Sequence, residues 1–280
     1  MLVCLPNFGL YVFSEKVSWQ IELSSRVMFL PSLLDSFSLV IRAYWSCCYL
    51  VSSSLSVVVA AYNEEEGIVP TLCELKEVLN KPNLMVVDGN SSDRTLKFAK
   101  DLGAEIVLQR GKGKGNAISQ GLIQLRRGTS YVALTDADYT YPAKHIKEMI
   151  CVLETSPDVG MVLGDRFSKK YEKESDRNKF YVGNKILGFV QRVFNGIELN
   201  DPYTGLRLIR FEVLKGWKPK SDGFDIEAEL NQHVDRLGYK IVELPIKYRK
   251  RLGKKKLSYI HGLKILRRIV ITRLATQKQT

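Results

Sequence analysis

The sequence lacks several features that would assign it to a class at once. No uninterrupted apolar run approaches the ~18–20 residues that a membrane-spanning helix needs, although 45% of its 280 residues are hydrophobic. The five cysteines show neither the paired spacing of a zinc site nor the even number of a disulfide framework. The glycine-rich run GKGKGNA lacks the GK[ST] ending of a Walker-type phosphate loop. The sequence therefore predicts reduced thiols in a cytosolic setting, in a chain long enough to bury a full core.

Acidic residues are absent from Leu244 to the C-terminus, where the chain carries twelve lysines and arginines. The net charge of the whole chain is +12, so everything before this tail sums to zero. A block of this kind faces an anion such as lipid headgroups, nucleic acid or a phosphorylated substrate, unless it is simply a solvated basic face.

The last part of this tail has the pattern of an amphipathic helix. One side of the predicted helix carries five apolar residues, namely Ile260, Leu263, Leu266, Val270 and Leu274. Basic residues flank the stripe at positions 264, 267, 268 and 273. Such a helix either lies on an anionic membrane surface or packs on a core.

Composition divides the chain into three segments. Residues 1–54 are rich in serine, carry only six charges and lack clear periodicity. We expect a poorly ordered extension there, or a start codon assigned too early, with a peripheral membrane anchor as the alternative. Residues 55–257 carry the pattern of a folded domain, and residues 258–280 form the basic amphipathic helix.

Apolar strand-like runs alternate with amphipathic helical stretches from Leu55 onward. The strand-like runs include LSVVVAA, NLMVVDG, AEIVLQR, YVALTD and VGMVLGDR, each followed by a helical pattern. After Asp165 the alternation breaks into a polar segment, a helix at about 179–194, a turn feeding a strand, and a further helix–strand pair. This order predicts an α/β fold with a mostly parallel sheet flanked by helices.

Acidic residues follow the predicted strands, where ligands bind in sheets of this kind. Asp88 ends the second strand, and Asp136 and Asp138 end the fourth within YVALTDADYTYP. Carboxylates two residues apart on a strand point to the same face and repel each other. A hard divalent cation, Mg²⁺ or Mn²⁺, removes the repulsion and takes phosphate oxygens as further ligands. The spacing alone is weak support, so the surrounding motifs must decide.

Six motifs occur in order, each at the end of an element: VVVAAYNEEEGI, VVDGNSSDRT, RGKGKGNA, YVALTDADYTYP, GDRF and DPYTGLRLIR. Together they resemble the family 2 glycosyltransferases of the GT-A fold. Within that family the set is most similar to dolichyl-phosphate mannose synthases and their archaeal relatives that use other sugars. The closing YRKRLGKKKL resembles a basic RxGxSKL-type element of the same polyprenyl-phosphate branch. The resemblance covers residues 55–257 and implies a GT-A catalytic domain.

The resemblance implies a donor site and an acceptor site. The metal and the diphosphate would bind Asp136 and Asp138. The residues implied in nucleotide-sugar binding are Tyr62, Asn63, Glu64, Asp88, Asp93, Arg110 and Lys114. The residues implied in holding the acceptor phosphate are Arg166, Arg207, Arg251 and Lys256, with Arg207 also counted as catalytic.

Some positions depart from the family pattern or have a simpler explanation. Thr140 stands where the mannose synthases often carry glutamine, which leaves a third metal ligand unassigned. Lys255 replaces the serine of the basic element and adds charge. Asp88 and Asp93 are also suited to ordinary turn and helix-cap roles, and Arg207 to a simple ion pair with Asp201.

The resemblance implies an inverting transfer of a hexose from a GDP- or UDP-linked sugar to dolichyl or another polyprenyl phosphate. A lipid phosphate is already anionic and needs no general base, whereas a sugar hydroxyl does, with Asp201 as the candidate. The alternative is therefore a GT-A enzyme that acts on a glycan hydroxyl. A nucleic-acid-binding protein is the remote alternative, because it leaves the strand-end acids unexplained. We expect a cytoplasmic enzyme peripherally associated with the cytosolic face of a membrane.

Overall fold

The computed structural model describes residues 3–4, 11–12, 54–171, 179–256 and 259–277. At 3–4, 11–12, 179–180, 259–260 and 274–277 it describes the backbone alone. Residues 1–42 form a unit of their own, in which β1 (Val3–Cys4) and β2 (Tyr11–Val12) pair antiparallel. The predicted character of residues 1–54 therefore falls almost entirely outside the described residues. The same holds for the polar segment at 172–178 and for the side chains of Ile260 and Leu274.

The remaining strands form one seven-stranded sheet in the order β5-β4-β3-β6-β8-β7-β9. They are β3 (Leu55–Ala61), β4 (Asn83–Asp88), β5 (Glu105–Leu108), β6 (Tyr131–Asp136), β7 (Val159–Asp165), β8 (Arg207–Arg210) and β9 (Lys240–Pro245). The mostly parallel sheet predicted from the sequence is confirmed. The exception is β8, which runs antiparallel to both of its neighbours, β6 and β7.

Helices follow the strands on both faces of this sheet. They are α1 (Glu65–Val78), α2 (Thr95–Asp101), α3 (Lys114–Ile123), α4 (Lys144–Thr155), α5 (Lys179–Asn195), α6 (Phe211–Leu214), α7 (Ile226–Arg236) and α8 (Tyr259–Gln277). None of the helices in the described part of the chain is long and apolar enough to span a bilayer.

The core has two layers because the central strands are buried on both sides. Along β3, Val57 and Val59 enter the cluster beneath α1 and α4, whereas Val58 enters the cluster beneath α3 and α7. A strand alternates its side chains between the two faces, so a continuous β-branched run supplies both layers. Burial of the run holds the strand register strongly, and the register decides which residues meet at the ends of the strands.

That register brings the ends of β3, β4 and β6 to the same edge of the sheet. Ala61 lies opposite Asp88 of β4, and Ala60 lies opposite Asp136 of β6. The loop that leaves β3 is therefore flanked by the acidic ends of its two neighbouring strands, as the alternating pattern predicts.

Helix α8 buries a different side from the stripe read from the sequence. Ile265 and Ile269 pack in a small cluster with Leu187 and Val190 of α5. Leu263, one of the predicted stripe residues, is instead exposed. The stripe is therefore not the core-packing face.

Candidate active site

The acid pair, Asp136 and Asp138, lies where β6 ends. Asp136 is the last residue of the strand, and Asp138 follows in a bend. The predicted strand geometry therefore holds at Asp136 and is wrong at Asp138, where the chain bends and Tyr139 takes a left-handed backbone with a φ of 64°. The two carboxylates are nevertheless neighbours. Burial, and then the charge of Asp136, raises the pKa of Asp138.

Asp136 is held by a buried lysine at the start of α3. Lys114 Nζ lies 2.7 Å from Asp136 Oδ1 and 2.9 Å from Glu227 Oε1. Burial opposes the charge of Lys114, but the two carboxylates outweigh it and raise the pKa of this lysine. Glu227, on α7, was missed in the sequence because nothing in an amphipathic helix indicates which of its acids turns inward. The Asp136–Lys114–Glu227 triad is thus an internal ion-pair network within the core of the site.

Close packing also limits the position of Asp136. A Cβ atom on Gly205 would lie 2.4 Å from Asp136 Oδ2, well inside van der Waals contact. A larger residue at this position would displace the carboxylate from its present orientation.

Asp138 is held locally and from a distance. Its Oδ1 accepts a hydrogen bond of 2.6 Å from the Thr140 hydroxyl. Its Oδ2 lies 3.4 Å from Arg251 Nη2, across the opening of the site. Because the Thr140 hydroxyl is directed at Asp138, this residue orients the acid rather than adding a third metal ligand.

The loop after β3 forms one side of the opening. Tyr62 is 51% exposed, and Asn63 has a left-handed backbone with a φ of 50°. The Asn63 side chain accepts a 2.8 Å hydrogen bond from the Ser92 N–H, which ties the loop to the end of β4. Glu64 is buried behind the loop, and burial raises its pKa despite the neighbouring Arg251 and Lys256. The loop is therefore pre-shaped by contacts with the protein itself.

Asp88 and Asp93 make the local contacts that were the simpler explanation from the sequence. The Asp88 carboxylate, which is fully buried, accepts hydrogen bonds from the Ser91 N–H and hydroxyl. Asp93 accepts hydrogen bonds from the Thr95 N–H and from the Glu65 N–H. Burial raises the pKa of Asp93, but these hydrogen bonds outweigh it and the net shift is downward. Contact of either acid with a nucleotide stays a prediction.

Arg110 lies on the far side of the loop after β5. Its side chain is exposed, and its backbone N–H and carbonyl are both paired with the Gln120 side chain. The segment is thereby anchored while the guanidinium remains accessible. Its predicted contact with the donor stays a prediction.

Residues 247–256 cross the acid pair and are called the basic strap below. The Arg249 N–H donates to the Thr140 carbonyl at 2.9 Å, and the Leu252 N–H donates to the Asp138 carbonyl at 3.1 Å. The Arg249 guanidinium also forms a two-pronged pair with Glu74 of α1. The strap is thus fixed directly over the bend that carries the acids.

The strap brings three cations to the opening. Arg251 Nη2 lies 2.5 Å and Lys256 Nζ 2.6 Å from the same oxygen, Glu64 Oε1. Burial, then the charges of Arg251 and Arg166, lowers the pKa of Lys255. Lys255 therefore belongs to the same positive cluster, which the sequence indicated only as a departure from the family pattern.

Arg166, at the end of β7, completes this cluster. Its Nε and Nη2 donate to the two oxygens of Asp201 at 2.6 and 2.7 Å, and Nη1 is not part of this pair. The guanidinium carbon lies 5.5 Å from the ring centre of Tyr248 in the strap. Asp201 is completely buried. Arg166 thus takes the ionic partner that the sequence suggested for Arg207.

Arg207, predicted as an acceptor contact and a catalytic residue, lies in the interior of the protein. It is only 1% exposed, and its donors bind the Thr204 carbonyl at 3.0 Å and the Pro202 carbonyl at 2.6 Å. Its remaining Nη1 binds Asn231 Oδ1 at 2.6 Å. Burial lowers the pKa of Arg207. A guanidinium satisfied in this way by the interior of the protein is a structural residue, and the sequence alone does not distinguish it from a ligand-binding one.

The acid pair fits a hard divalent cation that brings ligands of its own. Among the described residues, no group of three or more His, Cys, Asp or Glu side chains is arranged to hold a metal ion. The protein therefore offers two carboxylates at most, which is the usual share for Mg²⁺ bound together with phosphate oxygens and water. Lys114 and Arg251 lie beside the carboxylates, where phosphate charge would be neutralised.

Comparison with known sequences identifies a family match and similar proteins. Residues 56–217 match the family described as Glycosyl transferase family 2. A dolichyl-phosphate hexose transferase of Haloferax volcanii is 32% identical over 211 residues, covering 74% of this chain and 88% of that protein. An undecaprenyl-phosphate mannosyltransferase of Micrococcus luteus is 27% identical over 215 residues, covering 72% and 86%.

Solved structures share the fold. A glucosyl-3-phosphoglycerate synthase from Mycobacterium tuberculosis, crystallised with Mn²⁺, UDP-glucose and phosphoglyceric acid, superposes with a TM-score of 0.61. It is 22% identical and covers 79% of each chain. The architecture of this chain is therefore that of the GT-A glycosyltransferases, as predicted.

Proposed function

The chain belongs to glycosyl transferase family 2 and is a glycosyltransferase, and on this premise we propose that it transfers a hexose from a nucleotide-diphosphate sugar to dolichyl or another polyprenyl phosphate. The observation that carries the proposal is the cationic wall beside the acid pair, where Arg251 reaches Asp138, Lys256 shares a Glu64 oxygen with Arg251, and Arg166 lies against Tyr248 of the strap. A site with carboxylates on one wall and cations on the other suits a metal-bound diphosphate next to a phosphate acceptor. The relatives named for transfer to polyprenyl phosphates support this acceptor.

On the donor side, Asp136 and Asp138 would hold Mg²⁺ or Mn²⁺. The bound cation would neutralise the charge that develops on the departing nucleoside diphosphate. Lys114 pairs with Asp136 and orients it, and the Thr140 hydroxyl orients Asp138. Tyr62, Asn63 and Arg110 border the space that the nucleoside would enter.

On the acceptor side, the chemistry needs positioning rather than proton removal. A phosphate monoester is already anionic near pH 7, so its oxygen can attack the anomeric carbon directly and invert that centre. Arg166, Arg251 and Lys256 would bind the phosphate, with Lys255 in the same positive cluster. Two donors of Arg166 are fixed by Asp201, which orients the guanidinium before the acceptor arrives.

A glycan hydroxyl as acceptor is the alternative, and the position of Asp201 argues against it. A hydroxyl needs a general base within reach. Asp201 is fully buried, and both of its oxygens are occupied by Arg166. The nucleic-acid alternative is weakened in a similar way, because Arg249 and Arg251 of the basic strap are directed at carboxylates of their own domain.

The exposed apolar residues of α5 support association with a membrane. Val182, Ile186, Phe189 and Val193 recur at the spacing of one helical stripe and are more than half exposed. On the neighbouring α8, Leu263 is exposed as well, and Arg273 adds positive charge. Apolar side chains beside cations suit the cytosolic surface of an anionic membrane, where a polyprenyl phosphate would be embedded.

The test compares acceptors in one assay. The purified enzyme is given Mn²⁺, a GDP- or UDP-sugar chosen by thermal-shift screening, and either a polyprenyl phosphate or a glycan. We expect a glycosylated lipid phosphate by mass spectrometry. We also expect the Asp136→Asn variant to lose about 1,000-fold in rate. The exposed Asp158→Asn variant is the matched control and should retain activity. Product from the glycan alone, or full activity in Asp136→Asn, would refute the proposal.

A further inference from the structure

A second positively charged cleft lies away from the acid pair, between α8 and the loop that precedes α7. Its volume is about 360 Å³, within the range of small-ligand sites. Four cations and two acids line it, namely Lys220, Lys264, Arg267, Arg268, Asp222 and Asp225. The cleft therefore carries a net charge of +2 from these side chains. None of them is assigned above to the donor site or to the acceptor site.

Within the part of the chain that the structure describes, only one of the four cations has an ionic partner. Arg268 Nε lies 2.9 Å from Asp225 Oδ2 and forms part of the wall. Lys220, Lys264 and Arg267 have no acidic partner within ion-pair distance among the residues that the structure describes. Three unpaired cations facing a shared space repel one another, and an anion with several oxygens would remove that repulsion.

The wall opposite α8 is held in shape before any ligand binds. The Lys220 N–H donates to Glu229 Oε1 at 2.8 Å, and the Ser221 hydroxyl donates to the other oxygen of that carboxylate. The other side of the loop accepts hydrogen bonds from the first turn of α3. The Gly115 N–H donates to the Gly223 carbonyl at 3.1 Å, and the Asn116 N–H donates to the Asp222 carbonyl at 3.1 Å. A preorganised wall reduces the entropic cost of binding a ligand.

The same packing separates the cleft from the acid pair. A Cβ atom on Gly113 would lie 2.2 Å from the Asp222 carbonyl oxygen, so α3 and the loop are in direct backbone contact. Lys114, the residue that follows, turns to the other side and pairs with Asp136. The loop backbone therefore lies between the two sites.

We propose that this cleft is a binding site for a phosphate-bearing anion, separate from the donor and acceptor phosphates of the transfer reaction. An arginine fork and two lysine ammonium groups suit the several oxygens of a phosphate better than a single carboxylate. The phosphate belongs either to a soluble molecule or to a lipid headgroup. Both sources present the same group to Lys220, Lys264 and Arg267.

The first arm of the test uses inorganic pyrophosphate. Isothermal titration calorimetry is run on the full chain in EDTA, so that no metal bridges the anion to the acid pair. We expect saturable binding that Arg267→Glu weakens about tenfold, because the substitution reverses one charge of the cleft. Arg127→Glu, on an exposed turn outside the cleft, is the matched control, since it makes the same charge change at a residue with no assigned role, and it should alter the affinity less than twofold.

The second arm uses phosphatidylcholine vesicles containing phosphatidate, whose headgroup is a phosphate monoester. A loss of vesicle binding that is several-fold greater for Arg267→Glu than for Arg127→Glu assigns the cleft to a lipid headgroup. Selectivity in the pyrophosphate arm alone assigns it to a soluble phosphate. If the two variants behave alike in both arms, or if the wild type binds neither probe saturably, the proposal is wrong. Neither arm depends on transferase activity, so the outcome is independent of the proposed reaction.

Discussion

Strand β8 and the basic strap both present arginines, but the groups that face those arginines differ. In β8, Arg207 donates to the carbonyl oxygens of Pro202 and Thr204, and Arg210 donates to carbonyl oxygens at the end of α4 and the start of β7. In the strap, Arg249 and Arg251 meet the carboxylates of Glu74, Glu64 and Asp138. Arg207 is enclosed by the fold and Arg210 is partly buried, whereas the second set lines an opening.

The difference indicates how a guanidinium is used. Backbone carbonyl oxygens in the interior hold an arginine in place, because a ligand cannot reach the guanidinium and replace these acceptors unless the protein unfolds locally. Carboxylates at an opening hold it in place until a phosphate with more oxygens competes for the same donors. Buried arginines of the first kind contribute to stability, and arginines of the second kind contribute to binding. Three predictions test this contrast between the two sets of arginines.

The largest effect is expected from Arg207→Met. Removing this guanidinium leaves the buried Thr204 carbonyl and Asn231 Oδ1 without their donor and takes one of two donors from the Pro202 carbonyl, at a cost of about 3–5 kcal/mol of unfolding free energy. Urea unfolding followed by circular dichroism measures the loss. Arg127→Met, on an exposed turn, is the matched control and should cost less than about 0.5 kcal/mol. A stable Arg207→Met protein with a raised KM for polyprenyl phosphate would instead restore the original acceptor assignment.

A smaller effect, in binding rather than folding, is expected from Arg251→Ala. We expect kcat/KM for the polyprenyl phosphate to fall about 10- to 150-fold, because a charge-assisted hydrogen bond contributes about 1.5–3 kcal/mol. The unfolding free energy should change by less than about 1 kcal/mol, since Glu64 keeps Lys256 as a partner. Lys250→Ala, the exposed neighbour, serves as the control. Unchanged kinetics together with a large loss of stability would place the strap in the same class as β8.

The smallest effect concerns the pH dependence of Lys255. Burial and the charges of Arg251 and Arg166 lower its pKa, so it loses its proton at a lower pH than an ordinary lysine. Acceptor binding should therefore weaken as the pH rises. Lys255→Arg keeps its charge, and its kcat/KM should exceed that of the wild type by an increasing factor, about two- to threefold, on the alkaline side. Lys254→Arg is the control. Parallel pH profiles for all three proteins would exclude Lys255 from the acceptor site.

Much of the fold could be predicted because its signals are local. The β-branched run at 55–61, the helix after it and the glycine at 103 each follow from a few adjacent residues. The antiparallel direction of β8 could not be predicted, because RLIR has the same apolar pattern in either direction. Its pairing with β6 and β7 depends on the route of the intervening chain rather than on its own sequence.

The candidate site divides in the same way. That acids stand at the ends of β4 and β6 could be inferred from the sequence, because parallel strands ending together bring those residues to one edge. The partners of these and the neighbouring acids follow only from the packed fold: Arg251 meets Glu64 across 187 residues, and Lys114 lies between Asp136 and Glu227. Local periodicity specifies which face a residue occupies, whereas an ion pair forms between whichever opposite charges the packed core brings within a few ångströms.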